Sequence, residues 1–204
     1  MLPRSALALS FVVGFAAGCA TARQAQFSGT RLGARKAPDF TLTDQDGHAW
    51  RLSRQRGTVV ALYFGFTHCR DTCPATVAKL ARAIASQGTR AGDAEIAFVT
   101  VDPQRDTLLT LQRFIARFGG ARIAGLTGTF AQIASVERSY AVWTHRAPTE
   151  RRVKGDYDEI HSSVTYLIDR DGRERVLHDD ADSLASIASD IHVLLDAAKA
   201  PERS

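Results

Sequence analysis

Cysteine is scarce: three residues in 204, at positions 19, 69 and 73. That excludes a disulfide framework built from several pairs, and it excludes a structural zinc site of four thiolates. Charge of one sign is lacking too. The formal net charge is +4, from 26 Lys and Arg against 22 Asp and Glu, and the arginines are scattered rather than blocked. A nucleic-acid surface is therefore not expected; a solvated basic surface, or weak attraction to an anionic membrane, is. Internal repeats and low-complexity segments are missing. Long apolar runs are missing as well, because the one candidate, residues 6–17, is too short to span a bilayer comfortably. What is present, 45% hydrophobic and 24% charged residues, suffices for one domain with a real core plus an N-terminal appendage.

The appendage is readable. A short positive start, Met1 to Arg4, precedes the apolar run, which has the length of a signal-peptide core. It ends in Ala16-Ala17-Gly18-Cys19, which resembles a bacterial lipoprotein processing site with Cys19 as the lipidated residue, although Ala16 stands where leucine is usual. Ordinary signal cleavage near Ala22 is the alternative. Either route exports the protein, to the periplasmic face of the bacterial inner membrane. Residues 20–37 are polar and aperiodic and read as a tether, residues 38–198 as one domain and residues 199–204 as a tail. Export leaves Cys69 and Cys73 as the only pair. A disulfide across so short a loop closes little chain and adds little stability, so the position points to a reactive or metal-binding pair.

Residues 59–66 form an apolar run without alternation, the mark of a strand buried on both faces. The run feeds the cysteine loop, and Pro74 suits the first position of the helix that follows, through Ser86. Cys73 is thereby expected at the positive end of the helix dipole, where a thiolate is stabilised. Ahead of this strand, residues 40–43 and 49–52 read as a β-hairpin about the turn 44–47. Behind it come a strand at 96–101, a helix opened by Asp106-Thr107 and carried to Phe118, and a strand at 122–126. A helix capped by Thr129 and an extended piece at 141–143 follow. Residues 145–159 are charged and read as an exposed loop. Strands at 162–168 and 174–177 and a helix over 182–198 complete the chain. The pattern predicts an α/β three-layer sandwich with a central mixed sheet: a β-α-β-α core, then a β-hairpin and a last helix, which is the thioredoxin order.

Two thiols can serve disulfide exchange, peroxide reduction, zinc or copper. The residue before Cys69 is His68, not Trp, and the spacer to Cys73 has three residues, unlike a thioredoxin redox pair. No proline lies between Phe64 and Cys69, unlike a peroxiredoxin site. Copper(I) accepts two thiolates and one imidazole, since soft ligands and low coordination suit it. His161, where the charged loop meets the late strand, is the histidine that a thioredoxin-like fold returns to the cysteines. At this point the chain resembles the Sco/SenC family of copper-binding proteins for cytochrome c oxidase assembly. The matching pieces are Pro38-Asp39-Phe40, the run from Gly65 through Thr67-His68-Cys69 to Cys73-Pro74, Val99 to Thr107, and Tyr157 to Ser162 with Tyr166 to Gly172. Together they cover nearly all of residues 38–195.

The resemblance implies a thioredoxin-like fold with an inserted hairpin, and a copper ion bound by Cys69, Cys73 and His161. It further implies a copper chaperone that delivers the ion to the binuclear copper site of cytochrome c oxidase subunit II. Arg70 stands where the family often has proline. Glu159-Ile160 replaces a usual aspartate before the histidine, so Asp156 or Asp158 is the expected partner of the imidazole. A thiol–disulfide oxidoreductase acting through Cys69 and Cys73 remains a second reading, and a copper-buffering lipoprotein a third. His68 either touches the metal or tunes the thiols. Asp102, Arg105 and Asp106 either border the site or simply form a turn and a helix cap. His48, His145, His178 and His192 read as solvated or packing side chains.

Overall fold

The structure, a computed structural model, describes residues 26–148 and 157–197. In chain order its elements are β1 (Thr30–Arg31), β2 (Thr41–Thr43), β3 (Ala49–Arg51), β4 (Val59–Gly65), α1 (Thr72–Ala85), β5 (Ala94–Thr100), α2 (Leu108–Ile115), β6 (Arg122–Leu126), α3 (Phe130–Ser139), β7 (Thr144–Pro148), β8 (Tyr157–His161), β9 (Val164–Ile168), β10 (Glu174–Asp179) and α4 (Leu184–Asp196). Among the described residues, no helix is long and apolar enough to cross a membrane.

Every residue of β4 and of β5 is buried. Strands apolar on both faces belong at the middle of a sheet covered on both sides, and these two pair in parallel there. The full order is β1-β10-β9-β4-β5-β6, with β6 parallel to β5 and with β9, β10 and β1 each antiparallel to its neighbour. Parallel neighbours need crossovers, and α1 and α2 supply them. The apolar stripe of α1, Val77, Leu80, Ala81 and Ile84, is buried, as is that of α4, Ile187, Ile191, Leu194 and Leu195, and the two helices pack together. Thr107 caps α2 by accepting from the Thr110 N–H, and Thr129 with Gln132 forms a capping box on α3. This is a thioredoxin-like α/β sandwich, as the sequence predicts. The hairpin β2–β3 leads in, its turn held by Asp44 Oδ1, which accepts from the Asp46 and His48 N–H groups at 2.9 and 2.8 Å.

Several boundaries differ from the sequence expectation. The expected tether to Ala37 gives way to ordered chain earlier. β1 pairs with β10, Ala37 is buried, and the Ser28 and Gly29 N–H groups donate to the Asp190 carboxylate at 2.8 and 2.9 Å. Asp190 and His178, both wholly buried, meet at 3.0 Å, so His178 is a packing residue set against a carboxylate. Local polarity hides this because the partners are distant in sequence. The charged stretch 145–159 is not simply a loop: β7 and β8, at its two ends, pair as an antiparallel hairpin, and residues 149–156 lie outside the described residues. Charge masked the alternation. Residues 141–143 make a turn with Ala141 at positive φ, not a strand, and α2 stops at Ile115 rather than Phe118. The export segment, Cys19 and the tail also lie outside the described residues.

The carboxyl ends of β4 and β5 lie side by side, so the cysteine loop after β4 abuts the Asp102–Asp106 loop after β5. Open α/β sheets place their sites at this edge. Gly65, the last residue of β4, is a packing requirement of that edge. A Cβ there would lie 2.9 Å from Tyr63 Cε1, 3.0 Å from Phe98 Cε2 and 3.2 Å from Cys73 Sγ. Gly65→Ala is expected to lower unfolding stability in denaturant by about 1–3 kcal/mol through overpacking. Gly92→Ala, where a Cβ meets nothing within 4 Å, is expected to stay within about 0.5 kcal/mol. Equal effects of the two substitutions would contradict this packing.

Candidate metal centre

Cys69 lies in the loop between β4 and α1, its N–H donating to the Phe66 carbonyl at 3.3 Å, and it is partly exposed. Cys73 is the second residue of α1 and is fully buried. Asp71, not Cys73, occupies the helix-capping position, and Pro74 is the third helical residue rather than the first. It remains within the first turn, where a missing N–H costs no intrahelical bond. The Cys73 N–H, free of any helical acceptor, donates to Cys69 Sγ at 3.3 Å. Both cysteines are free thiols.

The helix-end argument assigned the stabilised thiolate to Cys73, and the structure reverses it. A hydrogen bond from the Cys73 thiol lowers the Cys69 pKa to about 5, helped by the Cys73 and Asp71 N–H groups and by His161, against burial. Donating that hydrogen bond and being buried push the Cys73 thiol far above its ordinary value. One proton is thus shared between the two sulfurs and rests on Cys73. The first turn of the helix helps the outer cysteine because its N–H groups point there.

His161 ends β8 and stands opposite Thr144 of β7. Its Nε2 lies 3.6 Å from Cys73 Sγ, across 88 residues of chain. Its Nδ1 lies 3.1 Å from the Ser162 carbonyl oxygen. A carbonyl can only accept, so Nδ1 carries a proton, and Nε2 is the ring nitrogen that faces the sulfur. The ring sits edge-on to Phe66 and Tyr63, with centroids 5.9 and 6.4 Å away. Among the described residues, the partner of the imidazole is the Ser162 carbonyl. Asp156 and the Asp158 side chain lie outside the description, and Glu159 turns to Arg146, accepting from Nε at 2.7 Å.

The sulfur–nitrogen separation can be tested against a metal. Bonds of about 2.3 Å to sulfur and 2.0–2.1 Å to nitrogen, opened to about 110–120°, separate two ligand atoms by roughly 3.6–3.8 Å. The observed 3.6 Å therefore matches two donors of one ion. Among the described residues, no three His, Cys, Asp or Glu side chains already form a closed cage. Cys73 Sγ and His161 Nε2 stand at that spacing, and Cys69 Sγ accepts from the Cys73 N–H at 3.3 Å. Two soft sulfurs and one imidazole suit a soft ion of low coordination number, not an ion that demands oxygen.

His68 is directed away from that role. Its Nδ1 lies 3.2 Å from Thr67 Oγ1 and 3.4 Å from Asp106 Oδ1. Asp106 is wholly buried and accepts from the Thr67 N–H at 3.0 Å, from Thr67 Oγ1 at 2.6 Å and from Thr100 Oγ1 at 2.6 Å. It fastens the cysteine loop, while Thr107 does the capping. Asp102, equally buried, ion-pairs Arg105 and accepts from Tyr157 Oη at 2.7 Å. Both readings of these residues hold: the Arg105 and Asp106 N–H groups donate to the Asp102 carbonyl in a turn before the Thr107 cap, and the two carboxylates also reach Thr67 of the cysteine loop and Tyr157 of β8. Tyr157 and Arg146 were not singled out by sequence reasoning, and neither residue's type or spacing announces such a role. His48 and His145 are exposed, and His192 pairs with Asp196 on α4, remote in sequence from the cysteines.

Comparison with known proteins places the chain in a family. The SCO1/SenC family model matches residues 28–196. The mitochondrial SCO2 homolog of Bos taurus is 40% identical over 136 residues, which cover 66% of this chain and 50% of that protein. A SCO2-like protein of Rickettsia conorii is 35% identical over 140 residues, 66% of this chain and 65% of that one. The chain thus spans about half the length of the mammalian relatives it matches. Among solved structures, Bradyrhizobium japonicum ScoI with copper bound superposes with a TM-score of 0.70 at 33% identity, covering 78% of this chain and 99% of that one. Apo Sco1 from Thermus thermophilus gives a TM-score of 0.70 at 30% identity, covering 84% and 97%. With its fold and nearly the whole described length accounted for by one family, the chain is a member of SCO1/SenC.

Proposed function

We propose that this protein is a copper chaperone: it binds one copper ion through Cys69, Cys73 and His161 and delivers it to the binuclear copper site of cytochrome c oxidase subunit II. The observation that carries the reading is the 3.6 Å approach of Cys73 Sγ to His161 Nε2. Relatives solved with copper bound support the choice of ion. Release is a ligand exchange. The buried sulfur and the imidazole hold the ion while the partly exposed Cys69 is the ligand an acceptor's cysteine displaces first. Ile160 and Trp143 flank His161 and Ser162 and are both about half exposed, large apolar side chains that a docking acceptor can cover. In this reading residues 1–19 export the chain, Cys19 carries the lipid, and the domain works at the periplasmic face of the inner membrane.

The split protonation of the thiols favours a second reading, a thiol–disulfide oxidoreductase. The Cys69 thiolate attacks an acceptor disulfide and forms a mixed disulfide. Cys73 then attacks Cys69 and passes its proton to the leaving thiolate. Two electrons reach the acceptor, and Cys69–Cys73 is left as a disulfide.

Titration of the reduced protein with copper(I) against a chelator is expected to show one tight equivalent per chain. Cys69→Ser, Cys73→Ser and His161→Ala are each expected to abolish it. Full retention of copper by His161→Ala would contradict the three-ligand site, and unchanged reduction of a disulfide substrate by the same variant would favour the oxidoreductase. Alkylation of the metal-free reduced protein by iodoacetamide tests the thiol assignment. Cys69 is expected to react alone at neutral pH, and its rate is expected to fall with a midpoint of about pH 5. Faster modification of Cys73, which is fully buried, would reverse the assignment.

A further inference from the structure

β7 and β8 form a two-stranded sheet of their own, outside the main sheet. At its carboxyl end β8 runs, three residues past His161, into β9, which pairs with β4. Its other end is fastened by a separate set of contacts. Tyr157, its first residue, sits between two guanidinium groups, with Arg105 Cζ 3.7 Å and Arg146 Cζ 4.2 Å from the ring centroid. Its hydroxyl donates to Asp102 Oδ1 at 2.7 Å, and its carbonyl accepts from Arg105 Nη1 at 2.8 Å. Asp102 is wholly buried and ion-pairs Arg105, whose guanidinium also lies 5.8 Å from the Phe66 ring. Arg146, on β7, reaches Glu159 of β8 at 2.7 Å and Asp102 at 3.8 Å. Cation–π contacts and charge-assisted hydrogen bonds gain strength where water is partly excluded, so the two kinds of contact reinforce each other here.

The same short loop therefore grips both halves of the site. Asp106 at one end holds Thr67 of the cysteine loop, and Asp102 at the other holds Tyr157 of the histidine strand. We propose that this segment is a jig, and that Tyr157 is a positioning residue which, clamped by Asp102, Arg105 and Arg146, sets where His161 stands relative to the sulfurs. Tyr157 touches no metal ligand's donor atom; it acts four residues away, along a strand about 13 Å long. Loosening the clamp lets β8 move and takes the imidazole off the ion without disturbing the thiols. The inference rests on the copper reading of Cys69, Cys73 and His161.

The test is a double-mutant cycle on the full chain, with copper(I) affinity read by chelator competition. Tyr157→Ala is expected to weaken copper binding roughly tenfold or more, as loss of an orienting partner commonly does. Tyr157→Phe, which keeps the stack and loses one hydrogen bond, is expected to weaken it less and guards against misfolding of the larger deletion. In the His161→Ala background, Tyr157→Ala is expected to change the residual affinity by less than about twofold, because its effect passes through the imidazole. Hydrogen exchange of the β8 amides in metal-free protein is expected to quicken in Tyr157→Ala while β4 and β5 remain protected. An equal loss of affinity in both backgrounds, or unchanged exchange in β8, would overturn the jig. If His161→Ala itself binds copper like the parent, the copper reading fails, and the β8 exchange result alone then decides whether Tyr157 clamps the hairpin.

Discussion

The approach of one imidazole nitrogen to one buried sulfur is the constraint on which the rest of this molecule depends. His161 ends strand β8, Cys73 opens helix α1, and 88 residues separate them in the chain. Neither could be held to a few tenths of an ångström by its own segment. The cysteine side is fixed by burial: β4 is enclosed, Gly65 leaves room for the Cys73 sulfur, and the first turn of α1 aims its N–H groups at Cys69. The histidine side is fixed by polar and ring contacts, with the Ser162 carbonyl setting the tautomer and Phe66 and Tyr63 holding the ring by its edge. A site built this way is held by packing on one side and by polar and ring contacts on the other.

The buried carboxylates belong to the same account. Asp102 and Asp106 are wholly enclosed, and each is matched by several donors, so neither stands as an uncompensated charge. Burying such groups costs several kcal/mol apiece unless partners return it, and mispairing is strongly penalised. That penalty is useful here. Few arrangements of the cysteine loop and the histidine hairpin satisfy both carboxylates at once, so the ligands are drawn into one geometry. Asp190 does similar work at the far end of the chain order, pinning Ser28 and Gly29 together with His178.

Much of this was legible in the residues. Unalternating runs at 59–66 and 96–101 announced the buried strands. The helical spacing of Val77, Leu80 and Ile84 announced α1, and Thr129 announced the start of α3. Cys69, Cys73 and His161 were chosen by residue type and by resemblance, and the structure brings Cys73 and His161 together. Illegible were the features that depend on distant partners. The strand character of Thr144–Pro148 and Tyr157–His161 is hidden under charge, because those charges are answered by one another across the hairpin and by Asp102. The seat of the thiolate was misread for a related reason. Helix-end electrostatics identify where N–H groups cluster, but which sulfur they reach depends on the loop before the helix, and it is Cys69.

Two sets of contacts therefore converge on the proposed site, the buried core behind the sulfurs and the polar contacts of the β7–β8 hairpin behind the imidazole. X-ray absorption spectroscopy of the copper(I)-loaded reduced protein tests their meeting point most directly. The account predicts two sulfur scatterers and one nitrogen scatterer around a single copper. Two sulfurs with no nitrogen, or sulfur scattering from a second chain, would contradict it.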